Sequence, residues 1–221
     1  MIDLFDSICL PDKGQSAYEE VRNKLEPLLQ SLKARDPYYE GHIQRACFYG
    51  VEFGRLQRLN EKEIRQLYLG AFLHDIGKVL IPAEIINKPG PLDPQERKIM
   101  MTHAALGEKI CCELGPLDEI AHLVGSHHER PNGTGYPRGL REREISPLSR
   151  ILAIIEIYDA LRSERSYKKP FSLEQSLDIL RQSAAAGDLD SNVTEEFAKF
   201  AVQTKFNPHL AFGNHLTRQK I

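Results

Sequence analysis

Five histidines and two aspartates of this chain stand where a helical sequence should be apolar. Ser146-Pro147 is a strong helix start, a capping hydroxyl followed by proline at the first helical position. Leu148, Ile151, Leu152 and Ile155 then form an apolar stripe at helical spacing. Asp159 falls on the same stripe, one turn beyond Ile155. A carboxylate buried without a partner is very costly, so it must meet a cation, a hydrogen-bond cluster or a metal. The plainer alternative is a helix-end aspartate paired with Arg162 or Arg165. His74 repeats the pattern on the stripe of Leu67 and Ala71, with Asp75 beside it. Taken singly, each such residue reads as a satisfied core polar group. Together, His42, His74-Asp75, His103, His127-His128 and Asp159 form a series whose intervals are each one helix plus one loop. Every member can therefore reach one point inside a helical bundle, where side chains from facing helices assemble di-metal sites.

The rest of the chain is helical by the same criterion. Val21, Leu25, Leu28, Leu29 and Leu32 describe one amphipathic helix. It should stop near Asp36-Pro37, because the residue before proline avoids the helical region. A second helix runs from about Tyr39 to Leu59, with a small inner face of Ile43, Cys47, Gly50, Val51 and Gly54. Asn60 followed by Glu63 has the form of a capping box for a third. A proline-rich loop leads to helices over Gln95 to Leu114 and Asp118 to Glu129, and a glycine- and proline-rich loop spans Arg130 to Leu140. The Ser146 helix should reach about Ser163; Ser172 with Gln175 and Ser191 to Phe206 mark two more. No segment alternates with period two for long. The expected class is all-α, a single helical bundle of about seven helices. Residues 25–206 form the domain, 1–24 an N-terminal extension and 207–221 a C-terminal tail.

Composition narrows the function. Hydrophobic residues make up 41% of the 221 and charged residues 27%, enough apolar content to fill a core. The densest apolar run, Ile151 to Ile155, ends at Glu156, far short of the ~18 residues of a membrane span. The acidic start, Met-Ile-Asp-Leu-Phe-Asp, is unlike an export signal. Cys9, Cys47, Cys111 and Cys112 form no C-x-x-C pair and read as reduced thiols. A cytoplasmic location is expected. The net charge of −2 provides no field to hold a nucleic-acid duplex, though a local basic patch could take a small anion.

Five imidazoles and two carboxylates suffice for two metal ions with one carboxylate shared. That donor set suits iron, manganese, cobalt, nickel or zinc better than calcium or magnesium. His122, His209 and His215 lack such context and read as surface residues.

The series also resembles a known family. His74-Asp75-Ile76-Gly77-Lys78 matches the HD signature of metal-dependent phosphohydrolases. The stretch from His127-His128-Glu129-Arg130-Pro131-Asn132 through Gly133-Thr134-Gly135-Tyr136-Pro137 matches the second signature of the HD-GYP subfamily. Asp36-Pro37-Tyr38 before Gly41-His42, Asn87-Lys88-Pro89-Gly90-Pro91-Leu92, and Asp159-Ala160-Leu161 leading to Arg165-Ser166-Tyr167 match as well. The resemblance implies a bacterial phosphodiesterase that degrades cyclic di-GMP to pGpG or GMP. It implies His42, His74, Asp75, His103, His127, His128 and Asp159 as ligands of two divalent transition ions, iron or manganese first, with Asp75 bridging. It places Lys78 toward the scissile phosphate, and Gly133, Tyr136, Arg165, Lys168 and Lys169 near substrate, the basic ones by charge and guanidinium geometry. Protein partners would meet the GYP loop, and a homodimer is compatible with it. Some relatives carry a glutamate four residues before the first histidine that helps hold a third metal. Tyr38 stands there in this chain, so two ions are expected.

The expected chemistry is in-line attack on phosphorus by a hydroxide bridging two cations ~3.5–4 Å apart, with Lys78 adding positive charge. Two other functions fit the same residues: an HD-type hydrolase of another nucleotide, and a cyclic-dinucleotide-binding scaffold without turnover.

Overall fold

The computed structural model of the protein describes residues 14–36, 38–164 and 169–204. Ten α-helical segments follow one another: α1 (Gly14–Arg35), α2 (Tyr39–Leu56), α3 (Glu61–Leu73), the single turn α4 (Ala83–Ile86), α5 (Pro94–Met101), α6 (His103–Glu113), α7 (Asp118–Ser126), α8 (Pro147–Arg162), α9 (Leu173–Ala185) and α10 (Ser191–Gln203). Short 3₁₀ turns lie at Ile76–Leu80 and Glu142–Glu144. Among the described residues there is no strand, only an isolated bridge between Asn132 and Arg141. The architecture is the expected all-α bundle.

Local sequence explains most boundaries. Asn60 accepts from the Glu63 amide while the Glu63 carboxylate accepts from the Asn60 amide, closing the capping box that starts α3. Ser146 accepts from the Ser149 amide ahead of Pro147, and Ser172 and Gln175 form a reciprocal pair ahead of α9. Asp93 caps α5 and Asp190 caps α10. The segment expected as one helix over Gln95 to Leu114 divides at Thr102. The Thr102 hydroxyl and amide both donate to the Ile99 carbonyl, at 2.6 and 3.0 Å, which tightens the turn. The α7 helix ends at Ser126, sooner than expected, where the Glu129 amide donates to the Ser126 carbonyl at 2.9 Å. Both departures leave a site histidine at a helix end.

The α2 helix packs against α3 and α8, while α7 packs against α6 and α3. One cluster runs through the described residues, from Leu25 on α1 through Phe53, Leu67, Leu73, Ile120, Leu152 and Ile155 to Phe197 and Phe200 on α10. Tyr49, Phe53, Tyr158, Phe197 and Phe200 meet mostly edge-on, with ring centroids 5.2 to 6.4 Å apart. This aromatic group locks α2, α8 and α10 together beneath the polar series. Among the described residues no helix is long and apolar enough to cross a membrane. Cys47, Cys111 and Cys112 are free thiols, and Cys9 lies outside the described residues.

Candidate metal centre

The series converges. His42 comes from the first turn of α2, His74 caps α3, and Asp75 begins the following 3₁₀ turn. His103 heads α6, His127 and His128 follow α7, and Asp159 lies on α8. Gly77 lets these pieces close up. A Cβ there would overlap the His103 carbonyl and stand 2.6 Å from the Gly107 amide nitrogen. The 3₁₀ turn therefore sits directly on the head of α6, bringing Asp75 beside His103.

Backbone hydrogen bonds fix the tautomers of three rings. His74 Nδ1 lies 2.9 Å from the Ala71 carbonyl, His103 Nδ1 2.7 Å from the Met100 carbonyl, and His127 Nδ1 2.6 Å from the Val124 carbonyl. A carbonyl only accepts, so each Nδ1 donates and each Nε2 carries a lone pair. Those lone pairs face one another. His42 and His74 bring their Nε2 atoms to 3.0 Å, and His103 and His127 bring theirs to 3.2 Å. Asp75 stands between the pairs. Its Oδ2 is 3.4 Å from His74 Nε2 and 3.9 Å from His42 Nε2, while its Oδ1 is 3.5 Å from His103 Nε2. Oδ1 is buried and has no hydrogen-bond partner. Two groups result, His42–His74–Asp75 and His103–His127–His128, each with its donor atoms within 4.8 Å of one another. Facing lone pairs and an orphaned carboxylate oxygen are costly in a buried site unless cations lie between them. The donors fit two first-row transition ions sharing Asp75.

Electrostatics agree with ligand chemistry at three of the rings, whereas at His74 burial lowers the pKa but Asp75 and Glu156 outweigh it and raise it overall. Burial drives His103 down to about 4 and His127 to about 3, and holds His128 well below the ordinary imidazole range. These rings stay neutral, as ligands must. Burial opposes ionisation of Asp75, but Lys78, His74 and His103 outweigh it and hold the carboxyl well below the usual range. Lys78 Nζ donates to Asp75 Oδ2 at 2.7 Å. For Lys78, burial works against the charge, yet Asp75 and Glu156 raise the ammonium pKa overall.

Asp159 is as buried as its place on the stripe required, but its partners differ from those expected. Its Oδ2 accepts from His42 Nδ1 at 2.7 Å, and Arg45 of α2, rather than Arg162, is the paired arginine. The Arg162 guanidinium instead donates to the Phe171 carbonyl at 2.7 Å. Glu156, one turn earlier on α8, is the residue that sequence reasoning missed. Its Oε1 lies 3.5 Å from His128 Nε2, and its Oε2 is buried without a hydrogen bond. Its charge also bears on His74, Lys78 and His127. The available signal was its position: it interrupts the longest apolar run in the chain.

The second signature forms an ordered loop around the centre. The buried Glu129 carboxylate accepts from the Arg138 amide at 2.7 Å and the Leu140 amide at 2.9 Å, tying the loop to its own root. Gly133 takes φ +78, a left-handed conformation suited to glycine. The Tyr136 ring lies 4.6 Å from that of His128, tilted by 30°. Lys169 is exposed, at the edge of the described chain. Arg165 and Lys168 lie outside the described residues, as do His209 and His215. His122 and Tyr38 are exposed.

Residues 26–193 match the HD domain family. The chain is 37% identical over 152 residues to 3'3'-cGAMP-specific phosphodiesterase 3 of Vibrio cholerae, covering 69% of this chain and 33% of that protein. It is 34% identical over 174 residues to cyclic di-GMP phosphodiesterase PA4108 of Pseudomonas aeruginosa, covering 77% and 41%. It is 35% identical over 186 residues to a cyclic di-GMP phosphodiesterase of Thermotoga maritima, covering 82% and 50%. The chain thus spans a third to a half of these relatives' length. Among solved structures, Bd1817, an HDG"Y"P protein from Bdellovibrio bacteriovorus, aligns with a TM-score of 0.59 at 20% identity, over 74% of this chain and 52% of that one. The HD domain of the L. monocytogenes phosphodiesterase PgpH in complex with cyclic-di-AMP gives 0.56 at 17%, over 80% and 95%. With its histidine–aspartate pair, its second histidine pair and its Gly135-Tyr136-Pro137 loop in place, the chain belongs to the HD domain family, within its HD-GYP branch.

Proposed function

We propose that this chain is a metal-dependent phosphodiesterase of 3′,3′-cyclic dinucleotides, with cyclic di-GMP as substrate and pGpG or GMP as product. The observation that carries the reading is Asp75, whose two oxygens face separate histidine groups across a buried centre. Two divalent ions, iron or manganese, would be held there by His42, His74, Asp75, His103, His127, His128 and Asp159. Glu156 adds a donor beside His128. Asp159, which the family resemblance gives as a ligand, lies against His42 on that side of the centre. Such ions, when bound, would supply Lewis acidity toward phosphate oxygens and lower the pKa of water.

The chain's own residues do the rest. Lys78 brings an ammonium to the phosphate side of Asp75, where negative charge accumulates as the P–O3′ bond breaks. Tyr136, packed on His128, walls one side and limits water access. Arg165, Lys168 and Lys169 follow α8 in sequence and supply the positive charge that a diphosphate ring requires.

Both cyclic di-GMP and 3'3'-cGAMP enzymes occur among the relatives, so substrate is decided by assay. Anaerobically purified protein loaded with Fe(II) or Mn(II) should convert cyclic di-GMP, with products read by chromatography. Conversion of 3'3'-cGAMP alone would move the substrate within the class, and turnover of nucleoside triphosphates alone would overturn it. Tight binding of cyclic di-GMP without product would instead make the chain a scaffold.

A further inference from the structure

The loop over residues 130–141 carries Tyr136 to the ring of His128 and is pinned on either side of that tyrosine. On the outgoing side, the Glu129 carboxylate accepts from the amides of Arg138 and Leu140. The Arg138 guanidinium also reaches Ser126 Oγ at 2.6 Å and the Glu108 carboxylate at 2.5 Å. Gly135 passes so close to this root that a Cβ there would stand 2.5 Å from the Glu129 Cα. On the incoming side the pin is Asn132, whose partner Asp188 lies 56 residues away in the chain.

The Asn132 side chain uses both ends of its amide. Its Nδ2 donates to Asp188 Oδ1 at 2.8 Å and, more weakly, to the Ala186 carbonyl at 3.4 Å. Its Oδ1 accepts from the Thr134 amide at 3.0 Å and the Thr134 hydroxyl at 2.7 Å. A backbone amide only donates and a carboxylate only accepts, so these partners fix which way the Asn132 amide points. The Asn132 main-chain amide adds a bond to the Gly187 carbonyl at 3.0 Å. The receiving corner between α9 and α10 is itself closed. The amides of Gly187 and Asp188 donate to the Ala184 and Ser183 carbonyls at 3.0 and 2.9 Å, and Gly187 takes φ +79. A Cβ on Gly187 would stand 3.3 Å from that of Asn132, so the two segments touch with little slack. Asp190, two residues on, caps α10 and accepts from the Arg150 guanidinium of α8 at 2.6 Å. The loop is thus moored to the corner that joins α8, α9 and α10.

We propose that Asn132 is a positioning residue for Tyr136, clasping the loop to the α9–α10 corner, and that the clasp needs an amide facing a carboxylate rather than two carboxylates. Its effect on turnover rests on the phosphodiesterase reading above; the clasp itself is made away from the metal centre. With both pins in place, the wall formed by Tyr136 is set before a cyclic dinucleotide arrives. Loosening one pin costs binding of the dinucleotide more than the chemical step. An aspartate at position 132 would keep an acceptor for Thr134 but bring a second negative charge against Asp188, where like charges repel.

The test is hydrogen–deuterium exchange over residues 130–141 of the metal-loaded full chain, read beside Mn(II) content and turnover of cyclic di-GMP. N132L and N132D should each exchange these amides at least about tenfold faster than wild type. Both should keep the wild-type metal content and raise KM for cyclic di-GMP by about three- to tenfold, with kcat within about twofold. N132D/D188N swaps donor and acceptor and should return exchange and KM to within about threefold of wild type. D188N alone still offers an oxygen to the Asn132 amide and should resemble wild type. Unchanged exchange in N132L overturns the clasp, and a double variant no better than N132D overturns the amide–carboxylate pairing. Fast exchange with unchanged KM overturns the positioning role. Should N132D fail to fold, thermal melts decide: a double variant that folds supports the pairing, and one that fails as N132D does overturns it. A wild type that turns over no cyclic dinucleotide removes the phosphodiesterase reading, while the exchange result still decides the clasp.

Discussion

At the scale of single residues, the centre is asymmetric in what each donor contributes. Among the described residues Asp75 is the carboxylate whose two oxygens face both histidine groups, so removing its charge should disturb both positions at once. D75N is expected to reduce bound metal from two ions toward none and to lower turnover by at least about 100-fold; full metal content in D75N would remove its bridging role. Glu156 comes within 3.5 Å of a ring nitrogen on one side, at His128. E156Q should weaken the ion at His103, His127 and His128 by about 10- to 100-fold and spare the other, which sequential metal titration resolves. How much of this was legible follows from the same contrast. Asp159 and His74 could be read because a charge on an apolar stripe contradicts its neighbours. Glu156 was harder to read, because a glutamate that interrupts an apolar run within a helix also fits the solvated face of an amphipathic helix. Only the way α8 is turned toward the segment after α7 shows that its carboxylate is buried beside His128. The arginine partner of Asp159 was equally hidden: Arg162 and Arg165 are near in sequence, and Arg45 is near only in space.

At the scale of elements, the helix starts were legible because capping chemistry is local. Asn60, Ser146 and Ser172 each begin a helix with the side-chain bond that their spacing suggests. The division at Thr102 was not, since a threonine hydroxyl can bond a carbonyl within a turn with or without ending a helix. What positions the site is therefore less the helices than the joints between them. At Gly77 the 3₁₀ turn after Asp75 touches the first turn of α6, with no room for a methyl group. G77A should force the two segments apart, costing about 1–3 kcal/mol of stability. It should also lower metal content, because Asp75 and His103 would separate. Thermal melts with and without Mn(II) check this: a variant that lost stability but kept the full metal-induced rise in melting temperature would show that the contact serves packing alone.

At the scale of the molecule, the centre is a buried polar cluster stitched through a bundle, and its protonation should govern metal-free stability. His103 and His127, driven down to about 4 and about 3 by burial, stay neutral when folded, whereas an unfolded imidazole takes up a proton near pH 6.5. Between those values the unfolded chain binds more protons, so stability falls as pH falls. Going from pH 7 to pH 5, each ring should cost about 2 kcal/mol as an upper bound. His128, also held low by burial, adds in the same direction. His74 opposes them. Burial disfavours its charge, but Asp75 and Glu156 raise its pKa overall, so its contribution is present at low pH and lost as pH rises. Asp75, held low, stays ionised throughout this interval. Several depressed rings against one raised ring leave acidification destabilising. The urea midpoint of chelator-treated protein should therefore drop from pH 7 to pH 5, and an unchanged or higher midpoint would mean that the rings are solvated or already protonated at pH 7. Saturating Mn(II) at pH 7 should raise the midpoint, since ligands from α2, α3, α6 and the end of α7 assemble only in the folded chain. Protons and metal ions thus compete for the same Nε2 lone pairs, and the folded bundle is most stable where the metals win.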